Sequence, residues 1–172
     1  MAGERFLKEV SGVITEIIAT QTGGAGNEDK IPSLDSAGLL PASMLPTGVG
    51  PDTASIVSSE NLTAGDFVNI WDDGGTTKVR KAIADGTGKT ADGFVLAGVT
   101  APAAALVYFE GRNTAKSGLT GGTVYYLSAS SAGATTATAP SGSGNEVQRL
   151  GKAYSTTAMT TEGLAGQIVK KA

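Results

Sequence analysis

Short apolar runs separated by turn-forming residues dominate this chain from residue 54 onward. The runs have the length of β-strands, and the segments between them are rich in glycine, proline, asparagine and aspartate, which favour tight turns. Eight strands are expected, at 54–58, 66–72, 76–84, 93–99, 105–110, 124–129, 146–155 and 166–170. The pattern predicts an all-β domain over residues 51–172, built as an antiparallel β-sandwich or barrel.

Two of these runs stand out because they are apolar almost throughout. Strands 93–99 and 105–110 lack the alternation of apolar and polar residues that marks a half-buried strand. A continuous apolar run indicates a strand that is covered on both faces. We therefore expect these two strands to be the most buried of the domain.

The N-terminal segment 6–20 fits two patterns. Its apolar residues match a helical spacing, at Phe6, Val10, Val13, Ile14 and Ile17. The pair Ser11-Gly12, however, lies between two apolar runs, as the turn of a β-hairpin would. Several of the apolar residues are β-branched, which lowers helix propensity. The hairpin is favoured, and the helix remains the alternative.

A proline-containing ribbon follows at residues 29–46. Prolines at 32, 41 and 46 fix φ, remove three backbone donors and push each preceding residue toward extended geometry. The segment cannot be a long helix or a central strand, and Ser36-Ala37-Gly38 supplies a turn. An apolar ribbon of this kind needs a partner surface. Residues 1–50, called the arm below, are thus predicted to be a hairpin plus an extended ribbon, with residues 51–172 as the β domain.

Composition narrows the range of functions. The 172 residues include 25 glycines, only 17% charged residues and 5% aromatic residues, so the core should be thin and supplemented by oligomerisation. The net charge of −3 argues against nucleic-acid binding. No cysteine or histidine is present, which excludes disulfides, thiolate catalysis and the commonest metal ligand and general base. No apolar window is long enough to cross a membrane.

Two motifs suggest chemistry but lack the required pattern. The sequence 85–90 resembles the end of a phosphate-binding loop, yet the first glycine of that motif is replaced by Ile83. The acidic cluster Asp66, Asp72 and Asp73 could suggest calcium, but Asp72-Asp73-Gly74-Gly75 lacks the spacing of a calcium loop. Asp73-Gly74-Gly75 is expected to be a solvated tight turn between strands 66–72 and 76–84. We therefore predict no catalytic residue, no metal site and no cofactor. Three aromatic residues remain as candidate interface residues: Trp71, Tyr125 and Tyr126. Because adjacent strand residues point to opposite faces, one of the two tyrosines could instead belong to the core.

The ribbon from Asp29 to Pro46 resembles a segment near the N-termini of tailed-bacteriophage head-fibre, capsid-decoration and tail-fibre proteins. Most of the β domain is also similar to a phage capsid-decoration, or head-fibre-like, family. The matching segments are Gly65–Ile70, Lys78–Ala82, Ala91–Ala97, Val107–Gly111, Gly118–Ser128 and Gln148–Ala153. This resemblance places one more strand within 135–139.

The resemblance implies a structural virion protein rather than an enzyme. Such a protein would decorate and cement the capsid as a homotrimer, on its outer surface, after synthesis in the host cytoplasm. Its partners would be the major capsid protein and sister chains, with neither nucleic acid nor membrane involved. A fibre module that binds host glycan is the alternative. The expected anchoring residues are Phe6, Leu7, Val10, Ile14, Ile17, Ile31, Leu34, Leu40, Met44 and Leu45.

Overall fold

The computed structural model describes residues 5–28, 30–45, 51–161, 164 and 168–172. The chain divides into two compact units, Met1–Gly50 and Pro51–Ala172. The described strands are β1 (Arg5–Val10), β2 (Val13–Ile18), β3 (Thr53–Val57), β4 (Phe67–Asp72), β5 (Thr77–Lys81), β6 (Gly93–Val95), β7 (Ala104–Tyr108), β8 (Gly111–Asn113), β9 (Val124–Leu127), β10 (Thr135–Thr136), β11 (Glu146–Ala153), β12 (Met159–Thr161) and β13 (Ile168–Lys170). In these residues, the single helical element is a 3-10 turn at Ala42–Met44. No helix in the described part of the chain is long and apolar enough to span a membrane.

The first unit begins with an antiparallel hairpin of β1 and β2. Val10 pairs with Val13, so the connection has only two residues, Ser11 and Gly12. Their φ angles are 53° and 85°. Positive φ at both turn positions gives the backbone twist that matches two right-handed strands. Residues 5–18 are therefore a hairpin and not a helix.

The rest of the first unit folds back on itself. The Thr20 amide donates to the Ile31 carbonyl (3.0 Å), and the Ser33 amide donates to the Thr20 carbonyl (2.8 Å). The Gly23 amide donates to the Ser43 hydroxyl (3.2 Å). The ribbon is thus not uniformly extended, because its two halves are hydrogen-bonded to residues 20–23. Its last residue, Pro46, and the boundary segment 47–50 lie outside the described residues.

The second unit contains two antiparallel sheets. The five-stranded sheet has the order β3-β7-β6-β4-β5. Its tightest connection joins β4 to β5 through Gly74 and Gly75, which both have positive φ, and Asp73 and Thr76 exchange backbone hydrogen bonds across this turn. The other sheet has the order β10-β9-β11-β12-β8, and β13 also pairs with β11.

The main core lies between these two sheets. Phe67 and Phe94 from the five-stranded sheet pack with Leu127, Leu150 and Met159 from the other sheet. The prediction of an all-β antiparallel fold is confirmed, and the arrangement is sandwich-like. A smaller core on the opposite face of the five-stranded sheet is formed by Leu62, Val68, Val79, Val95, Ala105 and Val107. The edge strands β3 and β5 of that sheet form no ladder with each other among the described residues. The chain after β3 meets β5 at an isolated bridge from Ser58 to Val79, so the sheet is not a closed barrel.

The sequence pattern was wrong about one buried strand. All three residues of β6 are buried, as expected, but β7 alternates: Ala105 and Val107 are buried, whereas Leu106 is 50% exposed. Cross-strand pairing places Leu106 opposite Ser55, which is also exposed, on a part of the sheet that the second sheet does not cover. The pattern also missed β8 and β12, which have only three residues each. Residues 166–167 of the last predicted strand lie outside the described residues.

Candidate functional site

The hairpin of the arm presents two different faces. Residues that pair directly across an antiparallel ladder share a face, and successive residues alternate between faces. One face, called the lysine face, consists of Phe6, Lys8, Val10, Val13, Thr15 and Ile17. The opposite face, called the glutamate face, consists of Arg5, Leu7, Glu9, Ile14, Glu16 and Ile18. Both faces carry large apolar side chains.

These apolar side chains are largely uncovered. Leu7 and Ile14 on the glutamate face are each 72% exposed, and Val13 on the lysine face is 63% exposed. Phe6 and Ile17 are half-buried. The glutamate face also carries an ion pair between Arg5 and Glu16. An isolated two-stranded hairpin is marginally stable in water, so these faces are suited to contact with another surface.

A second apolar surface lies on the turn at residues 34–40. The Asp35 carboxylate accepts hydrogen bonds from the amides of Ala37 (2.8 Å) and Leu39 (2.9 Å). The Asp35 amide in turn donates to the Leu39 carbonyl (2.8 Å), and Gly38 supplies the positive φ that closes the turn. We call this segment the leucine turn, because it presents Leu34, Leu39 and Leu40, all exposed, outside a hydrogen-bonded backbone.

Nine of the ten predicted anchoring residues belong to these two surfaces or to the segment that follows them, and Ile31 lies between the hairpin and the leucine turn. Six are exposed: Leu7, Val10, Ile14, Ile31, Leu34 and Leu40. Phe6, Ile17, Met44 and Leu45 are half-buried. Three exposed apolar residues were missed by the predicted set: Val13, Ile18 and Leu39. Strand alternation could have identified the first two once the hairpin was accepted over the helix.

The three candidate aromatic residues have different environments in the β domain. Trp71 is half-buried, its ring lies 4.6 Å from the Arg80 guanidinium carbon, and its indole N–H donates to the Ser59 hydroxyl (3.3 Å). Tyr126 is also half-buried. Tyr125 is only 7% exposed, and its hydroxyl accepts a hydrogen bond from the Thr120 amide (2.9 Å). Tyr125 is therefore the core member of the tyrosine pair and not an interface residue, and Tyr126 stays a candidate.

Arg80 has a structural role that the sequence did not indicate. Its Nε donates to the side-chain oxygen Oδ1 of Asn69 (2.9 Å). The side-chain nitrogen Nδ2 of Asn69 donates to the Asp92 carboxylate (3.2 Å) and to the Thr90 backbone carbonyl (2.9 Å). The network fixes the guanidinium against one face of the Trp71 ring, so that face is already stacked. A cation against an indole ring is a stabilising contact, and it restricts how Trp71 could meet a ligand.

The acidic residues tested for metal binding are engaged in local contacts. Asp66 accepts the Thr63 amide (2.8 Å) and lies 3.4 Å from the Lys81 ammonium, and Asp73 pairs with Lys78 at 2.6 Å. Asp85 accepts hydrogen bonds from the hydroxyl and the amide of Thr87, which lower the pKa of its carboxyl. Within the described residues, no group of three or more metal-ligating side chains comes together.

Lys116, in the loop after β8, is a half-buried lysine of the β domain. Burial lowers the pKa of its ammonium, and the nearby Asp66 carboxylate partly opposes this effect. The ammonium donates to the Gly65 carbonyl (3.0 Å) and lies 5.4 Å from the centre of the Phe67 ring. These contacts join the loop after β8 to the start of β4.

Comparison with known proteins gives no further assignment. No family model matches this chain, and no match was found among curated proteins or solved structures. The arm surfaces are therefore the candidate site on the evidence of their own geometry.

Proposed function

We propose that this protein is a structural component of a tailed-phage virion that decorates and cements the outer surface of the capsid. It acts as an oligomer, with three as the number that the sequence resemblance implies, and it catalyses no reaction. The arm provides attachment to the major capsid protein and to sister chains. The β domain is the part that projects.

The observation that supports this proposal is the distribution of exposed apolar side chains. Nine of the fourteen large apolar residues that are exposed in the described structure belong to the arm, between Leu7 and Leu40. In the leucine turn, hydrogen bonds to Asp35 order the backbone that carries three of these side chains before any partner binds. Preorganised apolar groups lower the entropic cost of association.

The exposed apolar side chains of the arm can contribute several kcal/mol to attachment. Each large apolar side chain that becomes buried contributes roughly 1.5–3 kcal/mol. The leucine turn alone presents three such side chains in one copy. When several copies are joined in one oligomer, effective concentration multiplies the avidity of each contact. Binding only to the assembled shell would stabilise that shell by mass action.

The experiment is co-sedimentation of purified protein with undecorated capsids. Leu34→Ser/Leu39→Ser/Leu40→Ser should weaken capsid binding by roughly 100-fold or more, since three apolar contacts are lost. The matched control is Val57→Ser/Leu106→Ser/Val169→Ser, which changes three exposed apolar residues of the β domain. The control variant should bind as the unmodified protein does.

Two results would change the proposal, one for the attachment site and one for the function. If the control variant loses capsid binding and the leucine-turn variant keeps it, attachment lies on the β domain. If neither the two variants nor the unmodified protein binds capsids, but the unmodified protein binds host-cell surface glycan, the fibre-module alternative is correct.

A further inference from the structure

We propose that Lys116 and Asn113 of the β domain react with each other in the folded protein and form an amide cross-link. The side-chain nitrogen of Lys116 replaces the side-chain nitrogen of Asn113, and ammonia is released. The reaction occurs once in each chain and changes only the protein itself. It is independent of the proposed function, because it involves neither the arm nor a capsid.

The two side chains meet at one backbone oxygen. The Gly65 carbonyl accepts a hydrogen bond from Nζ of Lys116 (3.0 Å) and another from Nδ2 of Asn113 (3.1 Å). Asn113 is fully buried, and Lys116 is half-buried beside the Phe67 ring. The nitrogen that attacks and the nitrogen that leaves are thus held at the same atom. Such juxtaposition replaces a bimolecular encounter and removes much of its entropic cost.

The amide carbonyl of Asn113 is polarised by a backbone donor. Its Oδ1 accepts a hydrogen bond from the Ala115 N–H (3.2 Å). When an amine adds to Cγ of Asn113, negative charge develops on this oxygen, and a donor that is already in place stabilises that charge. The donor belongs to the short segment between the two reacting residues, so it stays close to both of them.

The Lys116 ammonium must lose a proton before its nitrogen can attack. Burial lowers the pKa of this ammonium, which increases the fraction of neutral amine relative to an exposed lysine. The Asp66 carboxylate lies close enough to oppose this shift, and it can accept the proton. Asp66 also faces a second ammonium, that of Lys81, at 3.4 Å.

The reaction needs no added reagent. Asp66 takes one proton from Lys116, and the neutral Nζ adds to Cγ of Asn113. A further proton then passes from Nζ to Nδ2, the bond between Cγ and Nδ2 breaks, and ammonia leaves with the proton that Asp66 returns. The net products are one amide bond and one ammonium ion. In the structure the two side chains are unreacted, and Lys116 titrates only in this form.

Intact mass spectrometry of the full chain measures the reaction. Folded protein kept in mildly alkaline buffer, which increases the neutral amine, should lose the mass of one ammonia molecule with time. The same protein in guanidinium chloride should keep the mass of its sequence, because unfolding separates the two side chains from Gly65. A constant mass of the folded protein would overturn the proposal.

Trypsin digestion locates the bond, because trypsin cleaves after lysine and arginine only when their side chains are free. The unreacted chain should release peptide 113–116, which begins after Arg112 and ends at Lys116. The cross-linked chain should instead give peptide 113–149 without one ammonia. Loss of ammonia with peptide 113–116 still released intact would place the reaction elsewhere and contradict the proposal.

Three variants test the roles of the side chains. Lys116→Arg keeps a cation at Gly65 but has no amine, so its mass should stay constant. The matched control Lys152→Arg changes an exposed lysine of β11 and should react as the unmodified protein does. Asp66→Asn keeps the size of the side chain and should slow the reaction roughly 100-fold or more. Ammonia loss from Lys116→Arg would overturn the cross-link, and an unchanged rate in Asp66→Asn would show that the proposed proton transfer is wrong.

Discussion

The arm and the β domain use the same local structure with different results. Both contain short antiparallel strands joined by glycine turns with positive φ. In the β domain, two sheets cover each other, and side chains such as Phe67, Phe94 and Met159 are fully buried. In the described part of the arm, the two-stranded ladder is not paired with further strands, and nine large apolar residues are exposed.

Exposed apolar residues therefore need different explanations in the two units. The β domain exposes five large apolar residues over a much longer stretch of chain, and it has two closed cores. Scattered apolar residues on such a surface are ordinary. In the arm, exposed apolar residues are the main apolar content, and they form the surface that the proposed partner would cover. The following experiments test this contrast.

Separating the two units should have the largest effect. Residues 51–172 alone should fold and melt within a few degrees of the whole protein, because their cores are internal. A peptide of residues 1–50 should show no cooperative melting at low micromolar concentration, since an isolated hairpin is marginal. Far-ultraviolet circular dichroism with thermal melting measures both. Cooperative unfolding of the monomeric peptide would show that residues 1–50 fold alone, and this prediction would be wrong.

The next largest difference between the two units is expected from a pair of glycine substitutions, one in each unit. A Cβ at Gly151, where β11 is bulged, would lie 1.7 Å from the Thr160 carbonyl oxygen, whereas a Cβ at Gly12 meets no atom within 4 Å. Gly151→Ala should lower the free energy of unfolding of the β domain by about 3 kcal/mol or more. Gly12→Ala should strain only the hairpin turn, by about 1–2 kcal/mol. Denaturant titration of the β domain should detect the first change and not the second.

Two glutamines provide the third comparison. Gln148 is fully buried; its side chain accepts from the Ala91 amide and donates to the Ala91 and Leu164 carbonyls, at 2.7–2.9 Å. Gln21 in the arm is exposed and donates to one carbonyl, that of Leu34 (2.8 Å). Gln148→Leu should lower the free energy of unfolding by about 2–4 kcal/mol, because it leaves buried backbone groups unpaired. Gln21→Leu should cost less than about 0.5 kcal/mol. Equal losses of the free energy of unfolding in chemical denaturation would contradict the expectation that the buried glutamine contributes more than the exposed one.

Gln148 also shows what the sequence could not indicate. The hydrophobic pattern predicted the antiparallel β fold, the Asp73-Gly74-Gly75 turn and the long strand β11, because these features are local. It did not predict that a polar residue of β11 would be buried against Ala91, 57 positions away, since that contact depends on how the sheets pack. Leu106 was misjudged for the same reason: its exposure depends on which part of the sheet has a partner sheet.

The candidate site was more accessible to sequence reasoning than the core. The proline positions and the apolar spacing indicated an arm without its own core, and the anchors they suggested are exposed or half-buried in the structure. The two faces of the hairpin could not be separated while the helix was still an alternative. The function of Asp35 was missed, although aspartate followed by glycine three residues later is a pattern of a side-chain-capped turn.

Asp35 supports the fourth prediction, a moderate effect confined to the arm. Asp35→Ala removes the acceptor for two amides of the leucine turn, at a local cost of about 1 kcal/mol. Capsid affinity should therefore fall roughly 5-fold to 10-fold, with no change in the melting of the β domain. Asp35→Asn retains an acceptor oxygen and should restore most of the affinity. Unchanged co-sedimentation of Asp35→Ala would show that the turn need not be ordered for attachment.

The smallest expected effect concerns Lys116 in the β domain. Burial lowers the pKa of this ammonium below 10.5 in the folded state, so the unfolded chain binds more protons between the two pKa values. The contribution of Lys116 to the free energy of unfolding should rise with pH across that alkaline interval and be constant at lower pH. Lys116→Met removes this contribution, and the exposed Lys152→Met serves as the control. Denaturant titrations from neutral pH to about pH 10.5 should show a shallower rise for Lys116→Met than for the control. Identical pH dependence in the two variants would mean that the cation at Gly65 and Phe67 is fully hydrated in the folded protein.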